Sequence, residues 1–187
     1  MNRCHLFYYL LVCVLVIACS TGNTSVSGNK YNEEISILIY KGYECFKKRD
    51  YRNAKAYLKR AINHRGAKSY FATLALPYTY LGLIYEEEQD YEQSVKMFKK
   101  AVEQKPDSPM LHFFLGRCFF EYGDYESARK HLKRALEINP RRKMVHFYLG
   151  LTYLKLNKCD RAFEEFMHEL KTRRKSSDIQ EIKRDLQ

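Results

Sequence analysis

His112, His146 and the pair His168-Glu169 are the residues of this chain whose types could hold a metal, and Cys45, Cys118 and Cys159 are those that could do thiol chemistry. Helical zinc sites of the His-Glu-x-x-His kind need a second histidine, and the sequence after His168-Glu169 has none in place. His112 and His146 stand in equivalent positions of two successive segments, which fits large packing residues better than a ligand pair. The three cysteines are odd in number and scattered, so they form no disulfide framework. Cys45 and Cys118 lie among apolar neighbours and read as small buried hydrophobes; Cys159 occupies a place held elsewhere by Tyr51, Tyr91 and Tyr125, again a packing role. The sequence has no Gly-rich phosphate loop, no Cys-x-x-Cys and no Ser or Cys nucleophile beside a base. The expectation is a binding protein without catalytic residues, cofactor or metal.

The elements that carry these residues repeat. Tyr80-Leu81-Gly82-Leu83-Ile84-Tyr85, Phe114-Leu115-Gly116-Arg117-Cys118-Phe119 and Tyr148-Leu149-Gly150-Leu151-Thr152-Tyr153 place their glycines 34 residues apart, a period that belongs to stacked helical hairpins. Ala54, Leu58, Ala61 and Ala128, Leu132, Ala135 fall at i, i+4, i+7, one buried helical stripe, with Lys59-Arg60 and Lys133-Arg134 on the other side. A glycine on the first helix facing an alanine on the second is expected to let each hairpin close tightly. Asp50, Asp90, Asp124 and Asp160 mark polar turns suited to capping the second helices. Strand signals are absent. Gly42 to Gly82 spans 40 residues, so Asn63 to Thr73 is either a longer loop or part of a lengthened helix that begins near Ser69 and bends at Pro77.

These segments resemble the tetratricopeptide repeat (TPR) family, whose unit reads roughly W-x2-L-G-x2-Y, A-x3-F and P. One repeat supplies Leu81-Gly82, Tyr85, Phe98, Ala101 and Pro106, with Tyr78 and Ser94 in variant slots. The next supplies Leu115-Gly116, Phe119, Ala128, Leu132, Ala135 and Pro140, with His112 in the tryptophan slot; the last supplies Leu149-Gly150, Tyr153, Ala162 and Phe166. The last then departs, with Glu169 and Arg174 in the late alanine and proline slots. Upstream, Gly42, Tyr51, Ala54, Leu58 and Ala61 keep the spacing, although Lys41 and Cys45 replace leucine and tyrosine. The resemblance implies an all-α, right-handed α-solenoid of about four hairpins within residues 32–176, divided near 35–68, 75–108, 109–142 and 143–176. Ser177-Asp178-Ile179-Gln180 resembles a capping box, and Ile179, Ile182 and Leu186 form a stripe, so 177–187 is expected to be a C-terminal capping helix.

Residues 1–18 read as an export signal: Arg3 supplies a basic start, and Leu6 to Ala18 is an apolar stretch too short for the roughly 20 residues that cross a bilayer. Val16-Ile17-Ala18-Cys19 is similar to the bacterial lipoprotein signal. That likeness implies acylation of Cys19, followed by a Gly/Ser/Asn tether over 19–31 whose eleven residues Ser20 to Lys30 reach at most roughly 40 Å. An ordinary secretory signal cleaved near Ala18, or an uncleaved anchor, is the competing reading. Ser20 lacks the aspartate associated with inner-membrane retention in enteric bacteria, so the expected location is the outer membrane, facing the periplasm.

In TPR proteins the first helices line a concave groove. The resemblance places there Ile39, Tyr43 and Phe46; Thr79, Leu83 and Glu86; Phe113, Arg117 and Phe120; and Phe147, Leu151 and Leu154, with Met110 and Met144 extending it. This set is largely apolar or aromatic, unlike the Lys and Asn of a carboxylate clamp, and calls for an apolar helix or extended segment of an envelope protein, oriented by Arg117 and Glu86. The residues Tyr31 to Glu34 or the C-terminal tail could instead cover part of it. The net charge of +11 includes basic runs such as Lys47-Lys48-Arg49 and Arg141-Arg142-Lys143. They are either a solvated surface or a contact for anionic lipid or an acidic partner, and an exported chain is not expected to meet nucleic acid. The expected function is a membrane-anchored adaptor of envelope complexes; the alternative is a transport subunit presenting a small apolar ligand with a solute-binding protein.

Overall fold

A computed structural model of the chain describes residues 30–69, 74–141 and 144–171. The expected signal, Cys19, the tether up to residue 29 and the expected capping helix 177–187 lie outside the described residues. Among the described residues, eight α-helices follow one another: α1 (30–47), α2 (Tyr51–Ile62), α3 (Ala75–Glu87), α4 (Tyr91–Gln104), α5 (Pro109–Tyr122), α6 (Tyr125–Ile138), α7 (Val145–Lys155) and α8 (159–171). There is no strand among the described residues, and the fold is all-α, built of helical hairpins. None of these helices is long and apolar enough to cross a membrane. The chain divides into two compact units, residues 1–77 and 78–187.

Each hairpin reverses direction through one left-handed residue: Arg49 (φ 59°), Gln89 (61°), Gly123 (92°) and Asn157 (57°). The reversal brings the next backbone N–H onto a carbonyl of the preceding helix, as Asp50 to Cys45 (2.9 Å), Asp90 to Tyr85 (2.8 Å), Asp124 to Phe119 (3.0 Å) and Lys158 to Tyr153 (2.9 Å). Asp50, Asp90 and Asp124 then cap the second helices by accepting from the N–H of Asn53, Gln93 and Ser127 at 3.1 to 3.2 Å. Asp160 does not belong to this series. Lys158 occupies the cap register of α8, and Asp160 lies in its first turn.

The repeated glycines face large residues, which corrects the expected glycine-to-alanine contact. A Cβ on Gly42, Gly82, Gly116 or Gly150 would sit 2.7 to 2.9 Å from Leu58, Phe98, Leu132 or Phe166, the residue 16 positions on in the second helix. The missing Cβ makes room for a leucine or phenylalanine across the hairpin, which fills the interior more fully than an alanine could. Ser94 in an alanine slot is buried, and its hydroxyl donates to the Gly82 carbonyl at 2.8 Å. In the second unit, Val95, Phe98, Leu115, Cys118, Phe119 and Ala128 form one buried cluster, and Phe113, Leu132, Ala135, Val145, Leu149, Tyr153 and Ala162 form the next. Within this unit each hairpin closes on the following one through such a cluster.

In the first unit, Ile35, Ile39 and Ala61 are buried together with Leu38 and Leu74 against them. A short 3-10 turn, Ala67–Ser69, follows α2, and residues 70–73 lie outside the described residues. α3 begins only at Ala75. The stretch over which a lengthened helix from near Ser69 was expected lies largely outside the described residues, and Pro77 sits in the first turn of α3, where its missing N–H costs nothing. Tyr31 packs on the end of α2: its ring lies 5.7 Å from that of His64, Arg65 stacks over it, and Gly66 approaches so closely that a Cβ there would clash with it. Glu34 meets His64 Nε2 at 3.1 Å. The Tyr31 to Glu34 segment is thus the first turn of α1, engaged with the α2 connection.

Candidate partner-binding face

The sixteen-residue glycine rule fixes which side of each first helix turns inward, and the residues on its flank then sort into three rows. The row three positions before the glycine is buried in the first three hairpins: Ile39, Thr79 and Phe113 expose 8, 5 and 7% of their surface. Phe113 belongs to the core, packed with Val145 and Leu149, and it is no free docking side chain. Only Phe147 of this row stays half-buried, edge-on to Tyr148 and near Phe166. The row one position after the glycine, Tyr43, Leu83, Arg117 and Leu151, is half-buried throughout. Four positions after it come Phe46, Glu86 and Phe120, half-buried, and Leu154, exposed. Met110 is exposed, whereas Met144 takes a left-handed conformation at the start of α7 and packs against the buried cluster. It does not extend an open surface.

In the second unit these rows are joined by one ion pair. Arg117 Nη2 on α5 donates to Glu86 Oε2 on α3 at 2.6 Å, and the guanidinium lies 5.8 and 5.5 Å from the rings of Phe113 and Phe114. Burial raises the Glu86 carboxyl above its ordinary range even though Arg117 acts in the opposite sense. Arg117 Nε is buried and unpartnered, so the guanidinium keeps a donor unused beside the aromatic rings. Two residues central to this face were not among the expected set. Tyr148 touches Phe113, Phe120 and Phe147, and Phe114 touches Phe98, Phe113 and Arg117. Their common signal in the sequence is the aromatic two places before the glycine, seen at Tyr40, Tyr80, Phe114 and Tyr148.

The residues with chemical potential are engaged in packing or in local bonds. Cys118 is buried, its sulfur 3.7 Å from the Tyr91 carbonyl, and burial pushes its thiol up to about 11, far from a reactive thiolate. Cys45 is half-buried, and Cys159 is exposed, so the packing role expected of Cys159 is not the one it has. His112 Nε2 donates to the Pro106 carbonyl at 2.9 Å, and its Nδ1 lies 3.1 Å from Nδ1 of His131 on α6. His146 Nδ1 lies 2.7 Å from Glu165 Oε2 on α8. Among the described residues, no group of three or more His, Cys, Asp or Glu could hold a metal ion.

Three family models described as tetratricopeptide repeat match the chain, at residues 35–63, 85–146 and 120–178. No curated protein matches its sequence. Among solved structures, a crystal structure of MamA superimposes with a TM-score of 0.69 at 16% identity, covering 85% of this chain and 94% of that one. MamA from Desulfovibrio magneticus RS-1, residue 41 to the end, gives 0.68 at 15% identity with 76 and 77% coverage. The Pseudomonas aeruginosa pilF structure gives 0.64 at 22% identity, covering 78% of this chain and 64% of that one. At such identities the likeness is one of fold.

Proposed function

Because the chain belongs to the tetratricopeptide repeat family, whose matched segments lie over its hairpins, we propose that it is a lipid-anchored adaptor of the bacterial envelope that holds an apolar segment of a partner protein. The observation that carries the reading is the set of half-buried apolar residues that these rows leave along α3, α5 and α7: Leu83, Phe120, Phe147 and Leu151, with Arg117 and Glu86 set among them. Apolar side chains left partly in water gain free energy when a partner covers them, and a polar pair among them fixes orientation. The anchor is Cys19 within Val16-Ile17-Ala18-Cys19, and the proposed location is the outer membrane, facing the periplasm. More than one acyl chain gives a stable anchor where a single chain does not.

Two measurements test this. Metabolic labelling with a fatty acid should mark the chain and lose the mark in Cys19→Ser; a labelled variant or an unlabelled parent overturns the anchor. A photo-crosslinking residue in place of Leu151, activated in the native membrane, should join one discrete protein, and Phe120→Asp should reduce that adduct at least about tenfold, the factor expected for losing one buried aromatic contact. An adduct that Phe120→Asp leaves unchanged overturns the proposed face. A retained small apolar molecule in native mass spectrometry, with no protein adduct, would replace the adaptor by a transport subunit.

A further inference from the structure

In the second unit, successive hairpins meet in one register. On the incoming first helix, the residues five and one before the glycine are buried: Leu111 and Leu115 on α5, and Val145 and Leu149 on α7, each expose 3% of their surface or less. On the second helix of the hairpin before it, Val95 and Val102 of α4 pack in one cluster with Leu115, and Leu136 of α6 packs on the cluster of Val145 and Leu149. Ala135 of α6 belongs to that same cluster.

The two ends of the described chain carry the two halves of one more such junction. On α1, Ile37 and Lys41 stand five and one before Gly42; Ile37 is 46% exposed, Tyr40 beside it 63%, and Lys41 is exposed as well. On α8, the places of Val95 and Leu136 recur as Phe163 and Leu170, which are 66 and 59% exposed, with Met167 exposed between them. The ends also depart from the repeat with opposite charges. Lys41 holds the place of Leu149, and Glu169, buried on α8, holds the place of Ala135. Leu149 and Ala135 share one cluster, so a junction made from the two ends would set a cation against an anion.

We propose that the chain associates head to tail with a second copy of itself, α1 of one copy lying on α8 of the next in the register of the inner junctions. Ile37 then takes the part of Val145, Phe163 and Leu170 are covered, and Lys41 meets Glu169. The charges select this occupant. A wholly apolar partner on α1 would strand Lys41, whose ammonium lies 6.0 Å from the Tyr57 ring, and one on α8 would shut in Glu169 without a cation. Burying either charge alone is costly, whereas pairing them offsets much of that cost, and a second copy brings the matching charge to each end. The contact is heterologous, so every added copy presents a further open end and copies add in a row or a ring.

The test uses the full chain in its native membrane, co-expressed in two forms with different epitope tags, with p-benzoylphenylalanine in place of Phe163 in one form. Illumination should give an adduct carrying both tags, mapped by peptide mass spectrometry to α1. Lys41→Glu and Ile37→Asp, introduced separately in the other form at exposed positions, should each cut that adduct at least about tenfold while helical circular dichroism persists. Adding Glu169→Lys to the photoreactive form should restore most of the adduct with the Lys41→Glu form. A crosslink within one chain, residues 172–187 included, a crosslink to a different protein, or none at all overturns the proposal. So does a doubly tagged adduct that Lys41→Glu and Ile37→Asp leave intact, or a loss in Lys41→Glu that a folded Glu169→Lys form does not restore.

Discussion

His112 and His146 hold the same place on the hairpins α5/α6 and α7/α8, and each meets a residue 19 positions on, His131 in one and Glu165 in the other. His112 Nε2 must donate to the Pro106 carbonyl, so in the neutral ring Nδ1 accepts, and His131 Nδ1 donates to it. Protonating His112 at Nδ1 sets two N–H groups against each other at 3.1 Å, whereas His131 takes a proton at Nε2 and so out of this contact. His146 Nδ1 donates to a carboxylate, a bond that survives protonation of the ring because Nδ1 donates in both states. One register thus carries an acid-sensitive pair and an acid-tolerant one. The hairpins differ in two further respects: Gly116 faces the leucine and backbone of α6 while Gly150 faces a half-buried ring, and α6 has an aspartate cap while α8 has Lys158.

The largest effect that sharpens this contrast is in pH. Burial chiefly, then His112, Lys130 and Lys99, hold the His131 imidazole down to about 4, with Asp124 opposing them. The folded ring stays neutral while the unfolded chain takes up a proton, so this stability is present above about pH 6.5 and is lost as pH falls towards 4. The loss amounts to roughly 3 kcal/mol at most. His131→Gln should flatten the fall in Tm between pH 6.5 and 4.5. An unchanged slope would mean that the pair does not set the acid limb.

Next comes the glycine. Gly116→Ala places a Cβ 2.8 Å from Leu132 Cγ and 3.1 Å from the Leu132 backbone nitrogen, which cannot give way, at a cost of about 2 kcal/mol. Gly150→Ala meets the ring atoms of Phe166, which can tilt, and should cost less than about 1 kcal/mol. Denaturant unfolding of the two variants distinguishes them, and equal losses would break the comparison. The smallest effect is at the caps. Asp124→Ala removes the acceptor for the Ser127 N–H and should cost about 1 kcal/mol, whereas Lys158→Asp should stabilise α8 by a similar amount. Hydrogen exchange in the first turns of α6 and α8 reads both.

Periodicity made the helices legible because Gly82, Gly116 and Gly150, together with the alanine stripes, repeat one packing problem. It did not reveal what the glycine faces. Sequence spacing places Gly116 on a helix face, but the choice between an alanine and Leu132 as its neighbour depends on how far the two helices slide past each other. The face was legible in part for the same reason. Leu83, Phe120 and Leu151 remain accessible as expected from their register, but Phe113 shares a row with Phe147 and is buried because the following hairpin lies on it. Tyr148 escaped notice because its contacts join α7 to α5 across hairpins.

By itself the sequence determined the repeat, the all-α class, the Asp caps of three hairpins and the absence of any recognisable catalytic motif, since each of these depends on residues a few turns apart along one chain. Tertiary structure alone decided which aromatics became core, which rows stayed open and which residue met each histidine. Burial and hydrogen bonding at those points are properties of neighbours far apart in sequence, brought together by the packing of one hairpin on the next.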